Sequence, residues 1–195
     1  MIKTIFPIEI YETNYPNFAD VKDSVTTELL SLNLGQHEYI VDSTTSVMSF
    51  ESSAKIMQSP ILSPVIKFIN DNLNNFWQHL KYNGNPSISH IWAQVYEKNG
   101  YCLPHHHTPH SLTGCFYVNA SPLHGNLRLQ NPNETMLAQV PYRLRSDIEF
   151  RNPGYFDHTV SVNDGKLVLF PSYLWHRSEM NKTNDSRIVL AFNIN

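Results

Sequence analysis

Four histidines crowd into Pro104-His105-His106-His107-Thr108-Pro109-His110. In an extended strand successive side chains point to opposite faces, so His105 and His107 share one side and His106 faces the other. Two imidazoles on one side can grip a single metal ion, and that spacing makes the stretch a candidate metal site. A third donor is His176, which follows Pro171-Ser172-Tyr173-Leu174-Trp175 just past a hydrophobic run. Arg187 opens the last apolar run eleven positions later. A two-strand return of that length brings imidazole and guanidinium to one mouth of a barrel. His106 and His110 are read as supporting or surface groups, and His37, His79, His90 and His124 as structural or exposed. Asp157, beside His158, is a further carboxylate candidate.

The elements that must position these groups fall into two halves. Residues 4 to 11 alternate as a strand would, with Pro7 pointing to a sheet edge. Asp20 or Asn17 can cap a helix carrying Val21, Val25, Leu29 and Leu30, ending near Asn33-Leu34-Gly35. The stretch from His37 to Gln58 shows no sustained period and reads as loop or short strand. Leu62, Val65, Ile66, Ile69, Leu73, Phe76 and Leu80 then mark a long amphipathic helix, with Ser59 as its cap and Pro60 in its first turn. After Pro86 the pattern is strands and turns. Strands are expected at Ile88 to Tyr96, Leu112 to Asn119 and Gly125 to Gln130. Asn99-Gly100 reads as a hairpin turn, as does Asn163-Asp164-Gly165 between Val160-Ser161-Val162 and Lys166 to Phe170. In the last strand, Arg187 to Ile194, apolar residues fall on both faces: Ile188, Leu190, Phe192 and Ile194 on one, Val189 and Ala191 with Arg187 and Asn193 on the other. Burial on both sides calls for helices behind the sheet and a cavity in front of it.

The 195 residues suit one domain, 1–195, with an N-terminal strand and supporting helices over 1–87 and a β core over 88–195. The formal net charge of −3 and the lack of any Lys/Arg run argue against nucleic acid or an anionic membrane as partner. Neither a signal peptide nor a membrane span is expected, and the chain reads as cytoplasmic. Its two cysteines, Cys102 and Cys115, are expected as reduced side chains. The Asn181-Lys182-Thr183 match to a glycosylation pattern is taken as noise.

Three protein ligands on one face of iron(II) leave positions open for an organic acid and oxygen, and a deep arginine suits that acid's far carboxylate. At this point the chain resembles the 2-oxoglutarate and iron(II)-dependent dioxygenases, in particular the prolyl-hydroxylase-like branch and a group of small members with an H-x-H motif. The likeness runs in order through Trp92 to Tyr96, Asn99-Gly100, His105-His106-His107, Thr113 to Asn119, Gly125 to Leu129, Gly165 to Pro171, His176 and Arg187 to Val189. It implies a mainly β fold with N-terminal helices, a double-stranded β-helix or cupin-like jelly roll. It further implies iron(II) on His105, His107 and His176, and 2-oxoglutarate as cosubstrate with its 5-carboxylate on Arg187 and the Tyr117 phenol. Oxidation of a substrate C–H bond would then accompany conversion of 2-oxoglutarate to succinate and CO2, with ascorbate as an accessory reductant.

The usual pattern has Asp or Glu where His107 stands. A neutral ligand leaves the metal its full double charge, which favours a dianionic cosubstrate; the same three histidines also suit a cupin-like enzyme independent of 2-oxoglutarate, or zinc. A non-enzymatic jelly-roll binding module is the third reading. The substrate is expected to be a small molecule or a protein. Arg143, Arg145 and Arg151, interleaved with Tyr142, Phe150, Tyr155 and Phe156, read either as a substrate lid or as a solvated loop.

Overall fold

The last strand of the chain, β10, Arg187–Ile194, is buried along its whole length, which only a central strand covered on both faces achieves. A computed structural model describes residues 7–32, 34–35, 46–48, 53–133 and 157–195. Around β10 lie β1 (Tyr11–Asn14), β2 (Ser46–Met48), β3 (Ile88–Tyr96), β5 (Leu112–Asn119) and β8 (Lys166–Pro171), in a six-stranded antiparallel sheet ordered β1-β8-β5-β10-β3-β2. A second antiparallel sheet, ordered β4-β9-β6-β7, is built from β4 (Cys102–His105), β6 (Leu127–Gln130), β7 (Asp157–Val160) and β9 (His176–Ser178).

The period of two in the strands sorts the side chains into two cores. On one face of the large sheet Ile91, Ala93, Val95, Phe116, Val118, Ile188, Leu190 and Phe192 meet three helices. These are α1 (Lys22–Leu30), α2 (Ser53–Gln58) and α3 (Ser63–His79), which contribute Val25, Leu29, Ile56, Ile69 and Leu73. On the other face Tyr96, Tyr117, Val168, Phe170 and Val189 pack against Cys102, Leu127, Leu129 and Val160 of the small sheet. The two sheets thus form a sandwich with helices behind the larger one. No described helix is long and apolar enough to cross a membrane.

Several local expectations shift. Of the first expected strand, residues 4–6 lie outside the described residues and 7–10 are not strand; the first described strand runs Tyr11–Asn14, at a sheet edge. The early helix begins at Lys22 after a short turn over Phe18–Asp20, and Asn17 makes no capping bond because it is itself in the left-handed conformation. Of the aperiodic stretch His37 to Gln58, described at 46–48 and 53–58, the first part is the short strand β2 as expected and the second is α2, six residues held through the single buried Ile56, too short for periodicity to reveal. The long helix starts at Ser63 with Pro64 in its first turn, while Ser59 Oγ accepts the Leu62 N–H at 3.3 Å one turn earlier. Asn99-Gly100 and Asn163-Asp164-Gly165 do form turns, with Asn99 and Gly165 at positive φ. Neither joins a hairpin, because each carries the chain from one sheet to the other: β3 to β4, and β7 to β8. Turn residues specify the bend, while the choice of strand partner is made by the sandwich.

Gly114 marks the tightest point of the rear core: a Cβ there would lie 2.3 Å from the Phe192 ring and 2.8 Å from Leu169 Cδ2. Gly114→Ala is expected to destabilise the fold by about 1–3 kcal/mol, read from denaturant unfolding, because the fully buried Phe192 has no free space to retreat into.

Candidate functional site

Strand register brings the first two histidines together. β4 and β9 run antiparallel with His105 directly opposite His176, and Leu129 of β6 flanks His176 on its other side. His107 lies just past the end of β4, where its N–H donates to the Ser172 carbonyl at 2.9 Å. The ring centroids are 4.4 Å apart for His105 and His176, 4.9 Å for His105 and His107, and 5.1 Å for His107 and His176. One nitrogen from each ring lies within 4.8 Å of the others, the only such group of three or more His, Cys, Asp or Glu among the described residues.

Two of the rings are oriented by main-chain carbonyls. Nδ1 of His105 lies 2.8 Å from Leu103 O, and Nδ1 of His176 lies 2.9 Å from Leu174 O. A carbonyl only accepts, so Nδ1 carries a proton in both rings, and Nε2 is the nitrogen that presents a lone pair when the ring is neutral. Phe170 closes against the His176 ring at 4.8 Å and Trp92 against His107 at 5.9 Å. The donor set therefore fits a divalent metal with an affinity for imidazole.

His106 turns outward: its ring meets exposed Trp175 at 4.9 Å and its Nδ1 accepts the Thr108 N–H. His110 bonds Asn195 Oδ1 at 2.9 Å and is no part of the group of three. Asp157 is occupied by Arg177 Nη2 at 2.5 Å and is no part of the histidine group. Asn181 is fully buried, its amide donating to the Tyr96 and Asp185 carbonyls, so it is no glycan acceptor in this fold. Arg143, Arg145, Arg151 and the aromatics among them lie outside the described residues.

Arg187 and Tyr117 line the same pocket as the three histidines, a space of about 450 Å³ with its open mouth included. Arg187 is 1 % exposed, and burying a guanidinium is costly unless its donors are met. Its Nη1 donates to the carbonyls of His124, Gly125 and Glu179 at 2.7, 3.0 and 3.0 Å, its Nη2 to Ser178 Oγ at 2.8 Å, and its plane lies over Tyr96 with Cζ 4.2 Å from the ring centroid. The cradle needs Gly125, whose Cβ would lie 2.4 Å from Glu179 O and 2.9 Å from Arg187 Nη1. Nε is buried with no partner among the described residues. Sequence reasoning named no role for Tyr96, Ser178 or Gln94, which also line the pocket. The signal for two of them was available, since alternation in β3 sets Trp92, Gln94 and Tyr96 opposite Ile91, Ala93 and Val95.

The electrostatics suit metal binding. Burial, with the neighbouring His105, His110 and His106 adding to it, lowers the His107 imidazole to about 3. Burial and then His105 hold His176 well below the ordinary range, only partly offset by the bond to Leu174. Both rings are neutral at pH 7 and need shed no proton to bind metal. Burial pushes the Cys115 thiol up to about 12 and the Tyr117 phenol well above its ordinary value, so both stay protonated. Cys102 and Cys115 are both free thiols.

Because the unfolded chain protonates its histidines below about pH 6.5 while folded His107 and His176 stay neutral, the metal-free protein should lose stability as pH falls below 6.5. The slope is up to about 1.4 kcal/mol per pH unit for each ring, continuing for His107 toward its folded value of about 3. Urea unfolding of chelator-treated protein checks this, and His107→Gln should make the slope shallower by close to one proton.

Comparison with solved structures finds this sandwich repeatedly. A prolyl-4-hydroxylase from Pseudomonas putida aligns over 96% of this chain and 92% of its own, with 13% identity and a TM-score of 0.66. The non-heme alpha ketoglutarate dependent epimerase SnoN from nogalamycin biosynthesis aligns over 96% and 76%, with 11% identity and a TM-score of 0.67. HygX from Streptomyces hygroscopicus, solved with nickel, 2-oxoglutarate and hygromycin B, aligns over 96% and 83%, with 11% identity and a TM-score of 0.58. At such identities the likeness speaks for the fold, the expected double-stranded β-helix. Among curated proteins the sequence finds no match. A family model described as "Putative 2OG-Fe(II) oxygenase" matches residues 90–193, which span every strand of the site from β3 to β10, and by that match the chain belongs to the 2-oxoglutarate and iron(II)-dependent oxygenases.

Proposed function

We propose that His105, His107 and His176 hold iron(II) through Nε2, that Arg187 and Tyr117 hold the 5-carboxylate of 2-oxoglutarate, and that the chain is a hydroxylase-type oxygenase. The observation that carries this reading is one cavity lined by three converging imidazoles and a buried arginine whose Nε is unpartnered. Iron(II) with 2-oxoglutarate and oxygen supplies C–H oxidation, 2-oxoglutarate leaving as succinate and CO2. The chain's own residues position and exclude. The Leu103 and Leu174 carbonyls aim two of the imidazoles, the main-chain carbonyls on Nη1 hold Arg187 in place, and the apolar wall of Val189, Leu127 and Ala191 keeps the interior dry.

His107 in the carboxylate's place gives the metal three neutral donors, so a bound dication keeps its full charge for the cosubstrate. The same neutral set suits a cupin-like metalloenzyme working without 2-oxoglutarate, and Arg187 separates the two readings. For substrate, the formal net charge of −3 favours a small molecule or a protein side chain over nucleic acid. Free Cys102 and Cys115 beside the metal site favour a reducing compartment, the cytoplasm.

Iron(II)-loaded protein should bind about one metal per chain, bind 2-oxoglutarate by anaerobic calorimetry, and consume oxygen slowly with 2-oxoglutarate and ascorbate alone. Arg187→Ala should weaken 2-oxoglutarate binding by roughly 100-fold or more while metal content stays the same, because a charged hydrogen-bonded partner is removed from a buried carboxylate. Undiminished binding in that variant favours the cupin-like reading instead. His107→Asp should retain iron and bind 2-oxoglutarate roughly tenfold more weakly, since one unit of positive charge is cancelled at the metal.

A further inference from the structure

His107 differs from the other two donors in how it is held. His105 and His176 face each other across paired strands, and Nδ1 of each ring meets the carbonyl of the residue two positions before it in the chain. His107 lies past the end of β4, and no hydrogen bond reaches its ring among the described residues. The ring packs beside Trp92, and its aim is left to the position of its own main chain. One residue ties that main chain down. Ser172, 1 % exposed and directly after β8, accepts the His107 N–H on its carbonyl at 2.9 Å, gives its own N–H to the Ser111 carbonyl at 3.2 Å, and donates its hydroxyl to the His110 carbonyl. Ser172 thus spans the connection from β4 to β5 from the third histidine to its far end. Inside that connection the His110 N–H donates back to the His107 carbonyl at 3.1 Å, so a bond made at His110 is felt at His107.

We propose that Ser172 is a positioning residue for the metal: its hydroxyl fixes the turn over His107 to His110 and thereby sets where the third imidazole points. The inference rests on the metal-site reading above, in which His107 is a ligand. Removing the hydroxyl takes a donor away from the His110 carbonyl while leaving the two main-chain bonds of Ser172 in place. The turn then loosens at the point where nothing else orients the imidazole. His105 and His176 keep their own carbonyl partners and their cross-strand pairing, so the damage falls on one ligand of the three. Ser172 touches neither the metal position nor the cavity, and acts only through His107.

The test is a double-mutant cycle read as nickel(II) affinity by calorimetry, nickel being held by imidazole tightly enough for variants with two of the three histidines to be measured. Ser172→Ala is expected to weaken nickel(II) about tenfold or more. Ser172→Cys, which keeps a weaker donor in nearly the same volume, should fall between the two and carries the cycle if the alanine variant does not fold. In a His107→Ala background the loss from Ser172→Ala should shrink to less than about twofold, because the ligand it positions is gone. In a His105→Ala background it should persist. A general weakening of the fold would lower affinity equally in both, so a loss as large without His107 as with it overturns the proposal. So does a loss that vanishes without His105 as well, or equal nickel(II) binding by Ser172→Ala and the unsubstituted protein. Failure of the unsubstituted protein to bind nickel(II) is a different result, which overturns the metal-site reading itself.

Discussion

The site depends on one cross-strand pairing, His105 of β4 against His176 of β9. The two residues are 71 positions apart in the chain, and only the antiparallel register of the small sheet sets their rings 4.4 Å apart. A slip of one residue would turn His176 to the opposite face of the sheet and take its imidazole away from His105. The register is held by apolar packing: Leu127 and Leu129 of β6 sit on the inner face beside β9 and are buried against Val189 and Phe170 of the large sheet. Hydrophobic burial between the sheets, rather than any bond among the histidines, thus keeps the donors aligned.

The second constraint is the double burial of β10. Its rear face locks onto the helices through Ile188, Leu190, Phe192 and Ile194, which leaves Arg187, Val189 and Ala191 no choice but to face the cavity. A guanidinium placed there is tolerable only because the chain wraps carbonyls of His124, Gly125 and Glu179 around Nη1 and lays it on Tyr96. Those contacts satisfy one end of the group and leave the other facing the pocket. The fold thus accepts a buried charge at one side chain and turns its remaining donors toward the pocket.

Neutrality at the histidine end complements charge at the other. Burial keeps His107 and His176 unprotonated, while the main-chain acceptors on Nδ1 of His105 and His176 choose the tautomer. The pocket so contains three imidazoles, two of them held neutral by burial, at one end and one fixed cation at the other. That polarity matches a dianion bridging a metal and an arginine, and it follows from the backbone as much as from the ligand side chains.

Much of this was legible in the sequence because it rests on periods of two. The alternation of His105 with His107, of Thr113 with Cys115 and Tyr117, and of the two faces of Arg187–Ile194 could be read directly, since strand geometry alone assigns side chains to faces. The order of motifs from Trp92 to Arg187 likewise pointed to the family that the match over 90–193 shows. Partner choice was not legible. Asn99-Gly100 and Asn163-Asp164-Gly165 read as hairpins and instead carry the chain between sheets, because a turn specifies a local bend while pairing is decided by which faces can be buried together. For the same reason Ser178 and the carbonyl cradle of Arg187 carried no mark in the sequence. A hydrogen-bond partner 9 or 63 residues away acquires its meaning only when the sheets close around it, and that closure is a property of the tertiary structure alone.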